Sequence, residues 1–387
     1  RAGSMPASGI VDSLDWISEP EVRNAFFELL SRKHIIGGSP DERLPVLFEK
    51  SVAAAEEITE ALGGQVRQAV ELLIQAFSEA SLGATSQGRP DPLPADTHQT
   101  YEAAVTMMMR VVFLLFAEEQ DLLPSGELFE QGYGIAGELD RLEKRIADEG
   151  EPALDATTMT WHRLLATSRA VYGGASFENM RMPAYGGSLF DPSRFPFLRS
   201  TNEHHALEIT VSDRVMYHVL QSVQTVLLKG NERRRISFKD IDVEQIGYIY
   251  EGLLGYTCVK VEDTHLGLGG PAGVEPEIPL ATLEGIAGHD DDPKDLAKAI
   301  RKWVADDQPS AKAKSEAAIA KALGAEVEPD VRSALNQEVG GDADLIARIS
   351  PWLGLVRLDL RNRPFVVPGG GLMVKETPSR KNSGAHY

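Results

Sequence analysis

The residues of this sequence with the right chemistry for a metal site lie together near its middle. Glu203, His204, His205, Glu208 and His218 offer the carboxylate and imidazole groups that bind transition metals. Adjacent side chains on a helix diverge by about 100°, so two neighbouring histidines rarely reach one ion. The pattern therefore favours a pair of surface histidines, and we predict no metal site.

Two further groups have residue types that support hydrolysis or nucleophilic attack. Asp292-Pro293-Lys294 has the acid-x-lysine spacing of a metal-dependent nuclease, but it lies in an acidic, proline-containing loop instead of a strand. Cys258 lies in an apolar stretch typical of a buried strand, so we interpret it as a core residue. The sequence also has no Gly-x-Ser-x-Gly or phosphate-loop motif. We predict no catalytic residue in this chain.

Two clusters of basic residues have the charge needed to contact nucleic-acid phosphates. Arg233, Arg234 and Arg235 are consecutive, and Arg380 and Lys381 precede small residues near the C-terminal end. We predict that these five residues contact DNA. For the three consecutive arginines, a solvated turn between two helices is the alternative.

The C-terminal end differs in charge from the rest of the chain. The whole sequence carries a formal charge of −19, which on average repels nucleic acid and anionic membranes. From residue 355 to 387 the balance is reversed, with two acids, Asp359 and Glu376, against six bases: Arg357, Arg361, Arg363, Lys375, Arg380 and Lys381. We therefore predict that DNA meets the protein at this end.

The composition is that of an ordinary folded protein, with 42% hydrophobic and 25% charged residues. The single cysteine excludes an internal disulfide and a cysteine-based zinc site, and we predict a cytoplasmic location. The most apolar stretch, residues 105–117, contains Arg110 and is shorter than the roughly 20 residues of a membrane-spanning helix. We predict that it forms a buried core helix and that the protein has no membrane partner.

Hydrophobic periodicity predicts a mainly α fold, a helical bundle or connector with a few short strands near the C-terminal end. In the Ala-rich stretch 44–82, Gly63-Gly64 predicts a kink or a turn between two helices. Asp96 and Ser212 are predicted helix caps, and the helix after Ser212 is predicted to reach residue 228. Asp242 and Gln245 have the spacing of a capping box.

The acids that follow the apolar helix, in "AEEQDLLP", oppose its dipole and are predicted to be solvated. Alternation predicts strands at 256–263 and, in two pieces about a Pro- and Gly-rich turn, at 351–376. The predicted organisation has five parts. A helical segment at 1–83 is followed by a linker at 84–96 and a central helical connector at 97–263. A peripheral and partly flexible helical insertion occupies 264–350, and short strands at 351–387 lead into a catalytic core that is absent.

Four segments taken in order resemble the region that precedes the catalytic core in large DNA adenine-N6 methyltransferases. They are "VFLLFAEEQDLLP", "YGGSLFDP", "DIDVEQIGYIYEGLL" and "SRKNSGAHY", and they extend from residue 112 to residue 387. The similar proteins are type IIG restriction–modification fusions and the methyltransferases of BREX and DISARM phage defence. Before residue 100 the interpretation rests on helical pattern alone.

The resemblance implies a cofactor, S-adenosylmethionine. In that family the last segment continues as Gly-x-His-Tyr-Thr-Pro beside the methyl donor, and Gly384, His386 and Tyr387 match its first part. The family's Asn-Pro-Pro-Tyr or Asn-Pro-Pro-Phe catalytic loop and its Gly-rich cofactor motif do not occur in the chain. A flipped adenine cannot be methylated without them, so the chain alone is expected to be inactive.

Two functions remain open from the sequence. In the first, the chain is the connector of a site-specific DNA methyltransferase in restriction–modification or phage defence, with double-stranded DNA and other defence proteins as partners. In the second, it is a non-catalytic helical scaffold for the protein partners of a defence complex. The "GAHY" segment favours the first.

Overall fold

The computed structural model describes residues 20–228, 232–236, 238, 243–271, 273–288 and 292–377. In these ranges the protein is mainly helical with a few short antiparallel strands, which confirms the predicted fold class. The chain divides into two compact units, residues 1–61 and residues 62–387. The five finer segments given above stay predictions.

The first unit is described from residue 20 onward and consists of short helical elements. Helix α1 spans Pro20–Leu29, a π-helical turn spans Lys33–Gly37 and a 3₁₀ turn spans Pro40–Glu42. The Glu42 carboxylate accepts hydrogen bonds from the Ser39 N–H at 3.3 Å and the Ser39 hydroxyl at 3.2 Å. This reciprocal cap closes the turn that precedes helix α2.

Helix α2, Leu44–Ser86, continues through Gly63 and Gly64, so the predicted alternative of a turn between two helices is wrong, while the alternative of a kink stays a prediction. A glycine inside a helix costs about 1 kcal/mol relative to alanine, which weakens a helix without ending it. From residue 62 onward, α2 gains burial from a regular apolar stripe with helical spacing, formed by Leu62, Val66, Ala69, Leu73 and Phe77. Tertiary burial therefore outweighs the propensity of the two glycines.

Helix α3, Thr97–Glu119, is central to the second unit. The Asp96 carboxylate accepts a hydrogen bond from the His98 N–H at 3.0 Å, which confirms the predicted cap. Among the described residues, α3 is the one helix long and apolar enough to cross a membrane, and 78% of its apolar window is buried inside the protein. It is thus a core helix, as predicted.

The acids at the end of α3 are not simply solvated, contrary to the prediction. Glu118 Oε1 accepts a hydrogen bond from the Ile135 N–H at 2.6 Å, and Oε2 accepts one from the Ala136 N–H at 3.0 Å. Burial raises the pKa of this carboxyl, and the two backbone donors oppose the rise. Glu118 therefore satisfies backbone groups of a loop 17 residues away.

The remaining helices are all shorter than α2 and α3. Helices α4 to α8 are Glu127–Gly132, Glu138–Glu149, Met159–Gly173, Asp213–Gln224 and Val243–Leu253. Helices α9 to α13 are Leu280–Ala287, Pro293–Asp307, Glu316–Leu323, Pro329–Glu338 and Ala343–Ile349. Three 3₁₀ turns lie at Glu151–Ala156, Pro196–Arg199 and Ser350–Trp352.

All strand pairs in the described ranges are antiparallel. Two hairpins are β1 with β2 and β3 with β4, at Ala175–Phe177, Met180–Met182, Thr225–Leu228 and Glu232–Arg235. The other strands are β5 (Tyr256–Lys260), β6 (His265–Gly267), β7 (Glu277–Pro279), β8 (Val366–Val367) and β9 (Leu372–Glu376). β5 pairs with β9, and β6 lies between β7 and β8. The strand predicted at 256–263 is present at Tyr256–Lys260. Of the two pieces predicted within 351–376, the second is present as β9, whereas the first is a strand only at Val366–Val367 and begins with the 3₁₀ turn Ser350–Trp352. β8 and β9 pair with earlier strands and not with each other.

Helix α7 begins at its predicted cap but ends earlier than predicted. The Ser212 hydroxyl accepts a hydrogen bond from the Val215 N–H at 3.3 Å, and the helix stops at Gln224. The next four residues form β3, because the β-branched pair Thr225-Val226 favours extended backbone and β4 supplies a partner strand. The prediction of helix up to residue 228 is therefore wrong.

The second unit contains two main hydrophobic cores. The larger is formed chiefly by α2, α3, α6 and α7, and its Trp161 ring lies edge-on to Phe77 with 6.0 Å between centroids. The smaller is formed by β6, β8 and helices α9 to α13 around Trp352. Burial of apolar surface, at about 25 cal/mol per Å², is the main stabilising contribution of both.

Candidate functional site

The predicted DNA-contacting residues Arg233, Arg234 and Arg235 lie on strand β4, and not on a turn between two helices. Arg233 and Arg235 are exposed. Arg235 Nη1 lies 2.5 Å from Asp140 Oδ1, and both side chains of this ion pair are about half exposed. Contact with DNA at this hairpin stays a prediction.

The other predicted site residues lie outside the described residues. They are the DNA-contact candidates Arg380 and Lys381 and the cofactor-side candidates Gly384, His386 and Tyr387. The predicted capping residue Asp242 also lies outside them, although helix α8 is present as predicted.

Three of the six bases in the C-terminal region, Arg357, Arg361 and Arg363, form internal ion pairs, whereas contact of DNA with this end stays a prediction. Arg361 is 2% exposed, and its guanidinium contacts Asp359 at 2.8 Å, Glu79 at 3.2 Å and Glu338 at 3.5 Å. Burial alone would lower the pKa of Arg361, but the three carboxylates outweigh the effect of burial and raise this pKa. This arginine is fully engaged in holding the fold.

Arg357 and Arg363 are held in the same way. Arg363 Nη1 lies 2.9 Å from Glu338 Oε1 and Nη2 lies 2.7 Å from Asp155 Oδ2. Arg357 Nη2 lies 2.7 Å from Glu71 Oε1, and its guanidinium stacks on the Phe365 ring at 3.7 Å. Neither cation is available to a phosphate.

A different set of arginines lines an open cleft of about 930 Å³ on the same unit. The cleft lies between α6, the middle of α3 and the segment 190–199. Its lining includes Arg110, Arg169 and Arg199, and among the described residues Asp191 is its one carboxylate. The cleft is therefore basic, although the protein as a whole is strongly acidic.

Arg110 is the most unusual residue of this cleft. It is 4% exposed, and its Nε donates a hydrogen bond to Leu189 O at 2.7 Å while Nη2 donates one to Asp191 O at 3.3 Å. Nη1 contacts Met107 Sδ at 3.5 Å. Within the described part of the chain, Arg110 forms no ion pair with a carboxylate.

The electrostatics of Arg110 reflect this lack of a partner. Burial lowers the pKa of its guanidinium to about 10, the charge of Arg194 adds to that effect, and Asp191 opposes it. The Asp191 carboxylate is itself bound to the backbone N–H and hydroxyl of Ser193, at 2.8 Å and 2.7 Å. The cleft therefore holds a desolvated positive charge without a carboxylate in contact with it.

The other groups of the cleft suit a polar ligand. Arg169 on α6 and Arg199 in the 3₁₀ turn are exposed and form no ion pair with a described residue. Tyr133, Tyr172 and His162 add groups able to donate hydrogen bonds. Small residues form part of the wall, and a side chain placed at Gly173 would meet nothing within 4 Å. The arrangement can receive an anion without rearrangement of the backbone.

Analysis of the sequence missed this cleft. Its described residues come from separate parts of the chain, namely Arg110, Tyr133, 162–175, 190–199 and Leu207, and only folding brings them together. One signal was present, since Arg110 interrupts the otherwise apolar run "VTMMMRVVFLLFA". A buried charge is costly unless something compensates for it, so such a residue marks a place to look for a ligand.

The groups with possible catalytic chemistry are separated or otherwise engaged. His204 and His205 are exposed in a turn, as predicted, whereas His218 is buried and its Nε2 lies 3.1 Å from Glu151 Oε1. Within the described residues, no group of three or more His, Cys, Asp or Glu side chains could hold a metal ion.

Asp292 and Cys258 have structural roles. The Asp292 carboxylate caps helix α10 by accepting a hydrogen bond from the Lys294 N–H at 2.8 Å. This triplet therefore begins a helix, and the prediction that it lies in a loop is wrong. Cys258 is 1% exposed and its Sγ donates to Thr97 O at 2.9 Å. Burial raises the pKa of this thiol to about 12, so at neutral pH it is not a thiolate nucleophile.

Comparison of the chain with protein-family models, with curated proteins and with solved structures gave no match.

Proposed function

We propose that this chain is the connector that precedes the catalytic core of an S-adenosylmethionine-dependent DNA adenine-N6 methyltransferase. In this proposal it acts in the cytoplasm, in restriction–modification or phage defence, and positions the core on double-stranded DNA. The proposal rests on the resemblance of four ordered segments, and one structural observation supports it.

The observation is that the first two resembling segments pack against each other, and that the third contacts the same helix, α3. The Phe113 ring on α3 contacts Phe190 of the second segment with 5.3 Å between centroids. Tyr185 of that second segment donates a hydrogen bond from its hydroxyl to Leu122 O at 3.0 Å. Tyr101, also on α3, donates one to Leu253 O of the third segment at 2.7 Å. Residues far apart in sequence thus form one packed unit around α3, as a shared connector module requires.

The geometry of β9 supports a positioning role. β9 pairs with β5 over five residues, and the Thr377 N–H and hydroxyl both donate to Gly255 O at 2.9 Å. Thr97 donates a hydrogen bond to Cys258 O at 2.8 Å, which ties β5 to the start of α3. The chain therefore leaves the described fold from a strand attached to its central helix. Such an exit fixes where a following domain starts, and fixed geometry is the main requirement for presenting DNA to a distant pocket.

The experiment is methyl transfer by the product of the complete open reading frame. Incubated with DNA and methyl-labelled S-adenosylmethionine, that protein is expected to label adenine N6. The chain of residues 1–387 alone is expected to transfer no label, because the catalytic loop is not in it. A reading frame that ends after Tyr387, with no methyl-donor fold, contradicts the proposal.

The second candidate function is a scaffold for protein partners, and an apolar surface in the first unit favours it. Leu29, Leu30, Ile35 and Ile36 are exposed by 45 to 72%. Contiguous exposed apolar residues commonly mark protein-binding surfaces. The length of the open reading frame distinguishes the two candidate functions, because only the scaffold is compatible with a reading frame that ends at residue 387.

A further inference from the structure

The basic cleft between α3 and α6 has no role in the methyl-transfer chemistry proposed above. None of its described lining residues belongs to β9. The described part of its lining contains three arginines and one carboxylate in a chain of formal charge −19. Such a local reversal of charge calls for an explanation specific to the cleft.

Arg110 supplies the central observation. An arginine carries five N–H donors, and the protein accepts bonds from three of them here: Leu189 O, Asp191 O and the weak acceptor Met107 Sδ. The remaining donors have no acceptor among the described residues, and the guanidinium belongs to the cleft lining. Burial without a counter-charge is unfavourable, and an anion in the cleft would remove that cost.

The rest of the cleft fits one class of anion. Arg169 and Arg199 are exposed, unpaired within the described ranges, and placed on the rim of the same cavity. Several fork-shaped donors around one space match the geometry of phosphate oxygens better than that of a monovalent ion. The cavity, about 930 Å³, is also large enough for the group that carries the phosphate.

We propose that this cleft binds a phosphate-bearing ligand, with the phosphate beside Arg110 and flanked by Arg169 and Arg199. Two sources share that chemistry, a free nucleotide and the sugar-phosphate backbone of a nucleic-acid strand. The site belongs to residues of this chain alone, so it stands whether or not the complete protein transfers methyl groups. A backbone phosphate would give the connector its own contact with DNA.

The test is binding by the chain at low salt, measured by fluorescence anisotropy with a short labelled single strand and with the matching duplex. ADP and inorganic phosphate are added as competitors. Competition by ADP or phosphate at low concentration identifies a free phosphorylated ligand. Binding of the oligonucleotides without such competition identifies a nucleic-acid backbone. If none of these probes binds, the proposal is overturned.

The decisive variants leave the core intact. Arg169→Ala removes an exposed cation from α6, and Ala166→Glu places a carboxylate in the cleft from an exposed position of the same helix. We expect Arg169→Ala to weaken binding of the labelled oligonucleotide about threefold to tenfold, and Ala166→Glu to weaken it at least about tenfold.

Two matched controls test whether the effect belongs to the cleft. Arg332→Ala removes an exposed arginine from α12, and Ala147→Glu adds a carboxylate at an exposed position of α5. Both are expected to bind as the unaltered chain does. Equal losses in the cleft variants and the controls would mean diffuse attraction and would overturn the assignment, as would cleft variants with unchanged affinity.

Arg110→Lys tests the central residue directly. Lysine keeps a positive charge but lacks the planar fork that donates to Leu189 O, Asp191 O and a phosphate at once. The affinity of the chain for the labelled oligonucleotide is therefore expected to fall about tenfold or more. Circular dichroism identifies a variant that fails to fold, and in that case the comparison of Ala166→Glu with Ala147→Glu decides.

Discussion

Two groups of arginines in the second unit have opposite surroundings. Arg357, Arg361 and Arg363 follow one another closely in sequence, and each contacts carboxylates from other elements. Arg110, Arg169 and Arg199 come from distant segments, share one cleft, and form no ion pair with a described residue. The three arginines at 357–363, which looked available in the sequence, are occupied by carboxylates, and the cleft that the sequence did not reveal is open.

The difference teaches that local charge in the sequence is a poor guide to available charge. Arg357 lies 286 positions from its partner Glu71, and Arg361 lies 282 positions from Glu79, so no local inspection of the sequence could identify these pairs. What determines the role of each arginine is the set of acids that folding brings to it. The following predictions test that distinction.

The largest expected effect is at Arg361. Replacement by alanine leaves Asp359, Glu79 and Glu338 without their shared cation, and removal of one member of a buried pair typically costs about 3–5 kcal/mol. We expect that loss in the free energy of unfolding, measured by urea denaturation. Arg199→Ala is the control, with an expected change below about 0.5 kcal/mol because its side chain is exposed. Equal stability of the two variants would remove the distinction between the two groups.

The next effect concerns pH and Glu277, whose carboxylate lies 3.7 Å from Arg357. Burial raises the pKa of Glu277 to about 7, Arg357 and Arg67 oppose the rise, and Glu71 and Glu275 add to it. Because the folded-state pKa lies above the unfolded one, the folded protein holds the proton between about pH 4.5 and pH 7. The contribution of Glu277 to the free energy of unfolding is thus fully present below about pH 4.5 and is lost as the pH rises through about 7.

Glu277→Gln isolates that contribution. The amide cannot ionise, so the variant is expected to lack this part of the pH dependence and to be more stable than the unaltered protein at pH 8, by up to about 3 kcal/mol. At pH 5 the difference is expected to shrink toward zero. Thermal unfolding at several pH values measures it, and parallel profiles for the two proteins would mean that Glu277 is ionised in the fold at neutral pH.

A smaller effect is expected at Arg235, which is paired but exposed. Its contact with Asp140 is solvated on both sides, and such pairs contribute about 0.2–1 kcal/mol. A double-mutant cycle with Arg235→Ala and Asp140→Ala measures the coupling, which is expected to decrease further in high salt. A coupling as large as the loss at Arg361 would show that burial does not separate the two classes of ion pair.

The sequence was informative where local chemistry decides the outcome. The caps at Asp96 and Ser212 and the strand at 256–260 are present, because capping and alternation act over a few residues. It failed where tertiary contacts decide. Gly63-Gly64 does not interrupt α2, and residues 225–228 leave the helical pattern to pair with β4.

The cleft shows the same limit for a functional site. Its lining comes from α3, α6, the 190–199 segment and residues such as Tyr133 and Leu207, which no spacing rule connects. The resemblance that suggested a methyltransferase concerns other features of the same segments, so it gave no indication of the cleft. A single arginine in an apolar helix was the one available signal, and its meaning depends on the neighbours that folding supplies.

The most direct test of the account is the salt dependence of single-strand binding by the chain. Each phosphate contact on a single strand contributes about −0.7 to the slope of log K against log salt concentration. Arg169→Ala is therefore expected to reduce the magnitude of the slope by about 0.7, while Arg332→Ala leaves it unchanged. Identical slopes for the unaltered chain and the Arg169→Ala variant would contradict the claim that the unpaired arginines of the cleft hold phosphates.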